Sequence, residues 1–271
     1  GGWADRGRPR RWPRGLPVQS RQRIRLKTPA EIELMAASGR ELGRVFGAVR
    51  ELVAPGVTTA AIDAEVERMI RDAGCVPSFK GYRGFPAATC ISINDVVVHG
   101  IPSSRELQDG DVVGIDIGLI REGWHADSAE TFAVGRVSEE AAKLLQVTRE
   151  CLDLAIAQAR RGQRISAIGT AVEGHARAHG YSVVETLVGH GIGQAMHEDP
   201  QVPNFRSYAT PDPVMEEGLV IAIEPMINAG TKRVVEDDDR WTIRTADGRL
   251  SAHFEHTVAV TTDGPRILTS R

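Results

Sequence analysis

The stretch G-D-V-V-G-I-D-I-G-L-I-R-E-G-W-H-A-D-S-A-E-T-F-A, residues 110–133, places two Val/Ile-rich alternating runs on either side of Glu122-Gly123. Such runs around a two-residue turn signal predict an antiparallel hairpin. With Glu122 and Gly123 as the loop, Arg121 pairs with Trp124, Gly118 with Asp127, and Asp116 with Ala129. Side chains alternate across a strand, so Asp116, Gly118, Asp127 and Ala129 share one face. The aspartates become diagonal neighbours with backbones roughly 7–8 Å apart. That span suits two carboxylates gripping a metal pair about 3.5–4 Å apart. Gly118 and Ala129, being small, are expected to leave room there for ions and substrate.

Three further ligand-type residues sit in apolar runs: His190 in V-G-H-G-I-G, Glu224 in V-I-A-I-E-P and Glu255 in H-F-E-H-T-V. Burying an unpaired charge costs several kcal/mol unless something compensates it. Each acid alone reads equally well as a hydrogen-bonded or surface carboxylate. Together, four converging acids would repel one another and drive their pKa values upward. Four negative charges match two divalent cations, so the five residues read as the centre of a two-metal hydrolase. Ligation rich in oxygen, with one imidazole and no thiol, favours Mn, Fe, Co or Zn. It argues against a structural zinc site, which would recruit cysteine. Alternation puts Glu224 with Val220 and Ala222, and Glu255 with His253 and Thr257.

The other histidines divide by context. His175 and His179 fall on a polar helix face and are expected to face solvent. His125, His253 and His256 flank ligands and read equally as supporting groups or as ordinary strand residues. His99 (H-G-I-P) and His197 (A-M-H-E-D-P) lie in loops where a rigid strand end presents a side chain to a cleft.

Order is expected to begin near Thr28, where Thr28-Pro29-Ala30-Glu31 spells a capping box. Helical spacing then runs to Ala54-Pro55-Gly56, and a second helix covers about 59–73. Strands follow over 88–98 and 111–134. The order then recurs: helices over about 139–160 and 165–179, strands near 182–188, 219–227, 241–245 and 251–260. Each half carries H-G-I, at 99–101 and 190–192, followed by a strand bearing one acid. This predicts an α/β (α+β) chain with two related helix-helix-strand halves, about 28–136 and 137–271, facing each other across the metals. Glu236-Asp237-Asp238-Asp239 reads as a solvated hairpin tip.

A length of 271 residues suits one large domain, here residues 28–271. No apolar stretch approaches the roughly 18 residues that span a bilayer, and no signal-peptide core opens the chain. Three cysteines without a CxxC pair fit free thiols in a reducing compartment, so a cytoplasmic location is expected. The net charge of −3 hides an asymmetry. Residues 1–27 hold nine Arg/Lys against Asp5, about +8, which leaves about −11 elsewhere. This Pro- and Arg-rich extension reads as a mobile tail, as a basic arm for a phosphate-rich surface such as the ribosome, or, more weakly, as an organellar presequence.

The strings C-I-S-I-N-D-V-V-V-H-G-I-P (90–102), G-D-V-V-G-I-D-I-G (110–118), G-H-G-I-G (189–193), I-E-P-M-I-N-A-G (223–230), W-T (241–242) and F-E-H-T-V-A-V-T (254–261) together resemble the type I methionine aminopeptidases, from about Lys27 to the C-terminus. The resemblance implies the pita-bread fold, two pseudo-symmetric halves around a dinuclear metal site. It implies removal of N-terminal methionine from nascent or short peptides, with a small second residue preferred, by a monomer. Asp127 and Glu255 would bridge the ions, Asp116 would hold one, and His190 and Glu224 the other. An activated water would attack, Glu224 would relay its proton, His197 would bond the scissile carbonyl oxygen and His99 the amide beyond it. The methionine pocket would be formed by Phe79, Tyr82, Phe85, Cys90, Met196, His197 and Trp241. Phe79 stands where the family often has a smaller or thiol side chain, and Met196 where it has phenylalanine. Both stay apolar, and Met adapts around a thioether.

Prolidases and Xaa-Pro aminopeptidases share such ligands but carry a large additional N-terminal domain. Type II methionine aminopeptidases insert a helical subdomain between residues matching His190 and Glu224, which here lie 34 positions apart. A metal-free adaptor would be expected to lose ligands, and all five are present.

Overall fold

The computed structural model describes residues 24–271, so most of the cationic segment lies outside the described residues. The first half holds α1 (Pro29–Leu52), α2 (Thr59–Asp72), β1 (Val76–Pro77), β2 (Thr89–Ile93), β3 (Val96–Val98), β4 (Val112–Arg121) and β5 (Trp124–Ala133). The second holds α3 (Glu139–Gln158), α4 (Ser166–Ala178), β6 (Ser182–Val183), β7 (Gly189–Gly191), β8 (Glu198–Val202) and β9 (Val220–Ile223). It continues through β10 (Met226–Asn228), β11 (Val234–Glu236), β12 (Ile243–Thr245), β13 (Ser251–His253), β14 (His256–Thr261) and β15 (Gly264–Ile267). The expected repeat of two helices followed by strands is present.

Local chemistry explains the helix starts. Thr28 Oγ1 accepts from the Glu31 N–H and the Glu31 carboxylate accepts from the Thr28 N–H, which completes the capping box. Ser138 caps α3 through the Ala141 N–H. Each half then buries its own core. Leu42, Val45, Phe46 and Val49 of α1 meet Ile62, Val66 and Ile70 of α2 over β4. Leu144, Cys151, Ile168 and Val172 pack α3 and α4 over β9 and β14. The N-terminal turns of α1 (Ile32, Met35, Ala36) pack against Trp124, Val220 and Ala259, which joins the halves.

The β4–β5 hairpin has the expected register: Arg121 opposite Trp124, Gly118 opposite Asp127, Asp116 opposite Ala129. Glu122 and Gly123 both adopt positive φ, 51° and 82°, as a two-residue turn of this hand demands. One expectation about this face needs correction. The space beside Gly118 is filled, because a Cβ there would come within 2.8 Å of Phe79 Cε1 and 2.9 Å of Ser78 Cβ. Gly118 makes way for a wall of the cavity and not for the ions.

Several longer strand expectations break into short pieces: 88–98 divides at Asn94-Asp95, 182–188 shortens to 182–183, and two others divide at ligand-type residues. Glu224-Pro225 separates β9, in the five-stranded sheet β15-β14-β9-β7-β8, from β10, in the sheet β13-β10-β6. Pro225 has no N–H for a ladder. Phe254-Glu255 separates β13 from β14, which step back between the same two sheets. Glu224 and Glu255 thus sit where the chain changes sheets.

The halves meet along a hydrogen-bonded seam. The Glu255 N–H donates to the Ala129 carbonyl (3.0 Å), and Thr257 and Thr131 extend the contact to Asp127 and His253. β3 also pairs with β12, Val98 opposite Ile243. Lys27, assigned from sequence to the extension, belongs to the folded body: it is 4% exposed and its Nζ donates to Glu198 Oε2 at 2.6 Å. The acidic run 236–239 does lie at the β11–β12 tip, but Asp237 and Asp239 are engaged. Asp237 bonds Arg244, and Asp239 accepts from the N–H groups of Trp241 and Thr242. No helix of the described residues is long and apolar enough to cross a membrane.

Candidate metal centre and substrate cavity

One cavity of about 540 Å³ is lined by every residue singled out from the sequence as a ligand, a catalytic group or a pocket wall. Its floor is the acidic cluster. Asp127 and Glu255 are buried, Asp116 and Glu224 half-buried, and His190 is buried beside them. The hairpin supplies Asp116 and Asp127, β7 supplies His190, and the two sheet-changing breaks supply Glu224 and Glu255.

His190 is held in one tautomer. Its Nδ1 donates to the Gly191 carbonyl at 2.8 Å, which leaves the Nε2 lone pair facing the acids. Nε2 lies 3.5 Å from Glu224 Oε1 and 3.9 Å from Asp127 Oδ2. Burial holds its pKa down at about 4, so the ring is neutral at physiological pH. The acids shift the other way. Burial, reinforced by the Asp127 and Glu224 charges, raises Asp116 well above its ordinary value. Burial and Asp127 do the same to Glu224, and burial with the neighbouring acids to Glu255. Asp127 is pushed up to about 7, chiefly by burial.

These residues fit divalent ions. Asp116 Oδ1, Asp127 Oδ1 and Glu255 Oε1 are enclosed yet have no hydrogen-bond partner among the described residues. Buried carboxylate oxygens without donors are expensive unless cations complete them. Ligand atoms of Asp127, His190 and Glu255 lie within 4.8 Å of one another, as do those of Glu224, His253 and Glu255. Glu255 belongs to both sets. A third cluster, Glu150 of α3 with His175 of α4 and His179 at its C-terminal end, stands apart. His175 Nε2 is paired with Glu150 at 2.7 Å, so this ring is half-buried and engaged, where solvent exposure was expected.

The rest of the cavity is apolar. Phe79, Phe85 and Cys90 pack together with Met196 and Trp241 against them, and Phe85 meets Trp241 edge to face at 5.1 Å. Cys90 pairs with Asp116 across β2–β4, and burial keeps its thiol protonated by raising its pKa well above normal. Tyr82 Oη bonds His197 Nδ1 at 2.8 Å, and the His197 ring lies 4.2 Å from that of His190. Burial brings His197 to about 3 and His99 to about 4. His99 sits at φ 60° before Gly100, a strained presentation at the cavity wall.

Arg83, Leu187, Val188, Val234 and Val235, which no sequence pattern singles out, also line the cavity. Arg83 lies in a single 3-10 turn, Leu187 and Val188 in a loop, and Val234 and Val235 on the short β11, where periodicity carries no signal. Arg83 has positive φ and covers the Tyr82 ring at 5.3 Å.

Comparison with known proteins agrees with this geometry. Residues 33–262 match the model of metallopeptidase family M24. The chain is 48% identical over 246 residues to a methionine aminopeptidase of Clostridium perfringens, covering 91% of this chain and 98% of the relative. It is 45% identical over 245 residues to methionine aminopeptidase 1 of Bacillus subtilis, covering 90% and 98%. Among solved structures, the methionine aminopeptidase of Thermotoga maritima superposes with a TM-score of 0.89 at 39% identity, over 92% of this chain and 100% of that one. A prolidase of Pyrococcus furiosus shares the fold, with a TM-score of 0.75 at 23% identity, and this chain covers 65% of it. The pita-bread fold expected from sequence is therefore the fold of this chain, and a metallopeptidase family implies divalent metal at such a centre. The chain belongs to metallopeptidase family M24 and, within it, to the methionine aminopeptidases.

Proposed function

We propose that this chain removes the N-terminal methionine from nascent polypeptides with a small second residue, using two divalent ions drawn from Mn, Fe, Co and Zn. The observation that supports this most is the set of enclosed, unpartnered oxygens of Asp116, Asp127 and Glu255 beside the His190 lone pair, at the floor of an otherwise apolar cavity.

Asp127 and Glu255 would be shared between the ions, with Asp116 on one side and His190 and Glu224 on the other. Divalent ions held there would supply Lewis acidity, lowering the pKa of water towards neutrality and polarising the scissile carbonyl. The protein's groups do the rest. Glu224, whose carboxyl burial and Asp127 hold high, is suited to keep a proton between its removal from water and its delivery to the leaving amine. With the Tyr82 hydroxyl donating to Nδ1, neutral His197 carries its ring proton on Nε2 and donates to the carbonyl oxygen of the substrate. His99 reaches the amide beyond. Phe79, Tyr82, Phe85, Cys90, Met196 and Trp241 would enclose the methionine side chain, with the thioether against aromatic edges. The acidic floor attracts the free terminal ammonium, which restricts cleavage to the first bond.

The enzyme is proposed to act as a cytoplasmic monomer, the cationic residues 1–27 adding affinity for a phosphate-rich surface such as the ribosome. Peptide hydrolysis before and after chelation tests the core of this reading. A Met-Gly-led peptide should lose methionine only with metal present, and an Xaa-Pro peptide should stay intact. Cleavage of the Xaa-Pro peptide in preference would overturn the substrate assignment.

A further inference from the structure

His253 ends β13, two residues before Glu255, and its ring is buried at 3% exposure. Its backbone is fixed from both sides of the seam. Its N–H donates to Thr131 Oγ1 at 2.9 Å, and its carbonyl accepts from the same hydroxyl at 2.8 Å. The β10–β13 pairing sets His253 opposite Met226. The ring is therefore aimed by the fold, yet Nε2 is enclosed without a partner among the described residues.

What Nε2 faces is specific. It lies 3.8 Å from Glu224 Oε2 and 3.9 Å from Glu255 Oε2. The other oxygen of Glu224, Oε1, faces His190 Nε2 at 3.5 Å. The Glu224 carboxylate is thus bracketed by two imidazoles, one to each oxygen. His190 offers a lone pair, because its Nδ1 carries the proton. Beside the ionised carboxylates of a metal-loaded centre, a lone pair on His253 Nε2 would be repelled by both oxygens it faces. A proton on Nε2 turns the same geometry into a donor, and a small ring rotation closes the gap to hydrogen-bond length.

We propose that His253 is a positioning residue of the metal centre: its Nε2–H donates to Glu224 Oε2 and so presents Oε1 to the ion held with His190. This rests on the assignment of Glu224 as a ligand. A ligating carboxylate held by such a donor has one rotamer available, and outer partners of this kind typically govern about 10–100-fold in metal affinity.

The test uses the full chain, freed of metal and titrated with Mn²⁺, as parent, His253→Leu and His253→Gln. Gln keeps an N–H at comparable reach, whereas Leu keeps bulk without a donor. The proposal expects His253→Leu to bind Mn²⁺ about 10–100-fold more weakly and His253→Gln to recover the parent affinity. The visible spectrum of the Co²⁺-loaded parent should persist in His253→Gln, because the ligands are unchanged. Parent-like affinity in His253→Leu would overturn the proposal. So would weak binding by His253→Gln with an altered Co²⁺ spectrum, which would make the ring itself a ligand. Should His253→Leu fail to fold, His253→Met, equally without an N–H donor, takes its place in the titration. A parent protein that binds no divalent ion contradicts the two-metal reading itself; a parent that binds beside indifferent variants contradicts only the role of His253.

Discussion

The Thr257 hydroxyl holds both backbone groups of Asp127, donating to its carbonyl at 2.8 Å and accepting from its N–H at 3.1 Å. The two residues come from opposite halves, 130 positions apart in sequence, and both are buried. A hydroxyl thus replaces a ladder pair at the point where a central acid of the cluster is placed. Thr257→Val keeps the shape and removes the hydroxyl, leaving a buried N–H and carbonyl unsatisfied at about 1–3 kcal/mol. Urea unfolding should show that loss, and metal titration of the folded variant should show weaker binding.

Lys27 and Glu198 form a second long-range lock. Glu198 Oε2 accepts from Lys27 Nζ at 2.6 Å, and its Oε1 accepts from the Ala195 N–H, so the pair secures the loop bearing Met196 and His197. Lys27→Met should cost about 3 kcal/mol, the lower end for breaking a buried pair, since the Glu198 side chain keeps 14% exposure. Steady-state kinetics should show a raised KM with metal content unchanged. An unaltered KM would mean the loop is held by other contacts.

Gly118 faces Phe79, and Ala at this position would set a Cβ 2.8 Å from the Phe79 ring. The ring must move into the cavity. Gly118→Ala should lower kcat/KM on methionine peptides by roughly 10–100-fold, the scale of a displacement near 1 Å, while leaving metal stoichiometry unchanged.

Without metal, the acidic cluster makes stability depend on pH in a defined direction. Burial pushes Asp127 to about 7 and raises Asp116, Glu224 and Glu255 well above ordinary values. The folded state therefore holds protons near neutral pH that the unfolded chain has released. Stability then falls as pH rises, by about 1.4 kcal/mol per pH unit for each such proton. The buried histidines, lowered to about 3–4, act below about pH 7.5, where they destabilise the fold as the unfolded rings charge. Above about pH 7.5 the unfolded rings are largely neutral and this opposing effect fades, so metal-free protein should unfold at lower urea concentration at pH 8.5 than at 7.5. Added divalent ion should flatten that slope.

The parts of the site set by neighbouring residues were legible in the sequence. Glu122-Gly123 fixes the hairpin register through its turn conformation, and period-two alternation then places Asp116 and Asp127 on one face. The same alternation put His253 and Thr257 with Glu255. The seam was not legible, because a bridge such as Ala129–Glu255 depends on how two halves dock and leaves no local pattern. Nor were the sheet changes at Glu224 and Glu255, where apolar runs read as continuous strands. Lys27 was read as part of the tail because a buried lysine looks like any other cation until its partner, 171 residues away, is placed.

Methionine release by Asp127→Ala beside the parent, each supplied with the same divalent ion, decides whether the acidic cluster is the catalytic metal centre. Asp127 is the acid that His190, the hairpin and the seam all converge on. The folded variant should release no measurable methionine from a Met-Gly-led peptide at metal concentrations that fully activate the parent. Parent-like release would contradict that assignment.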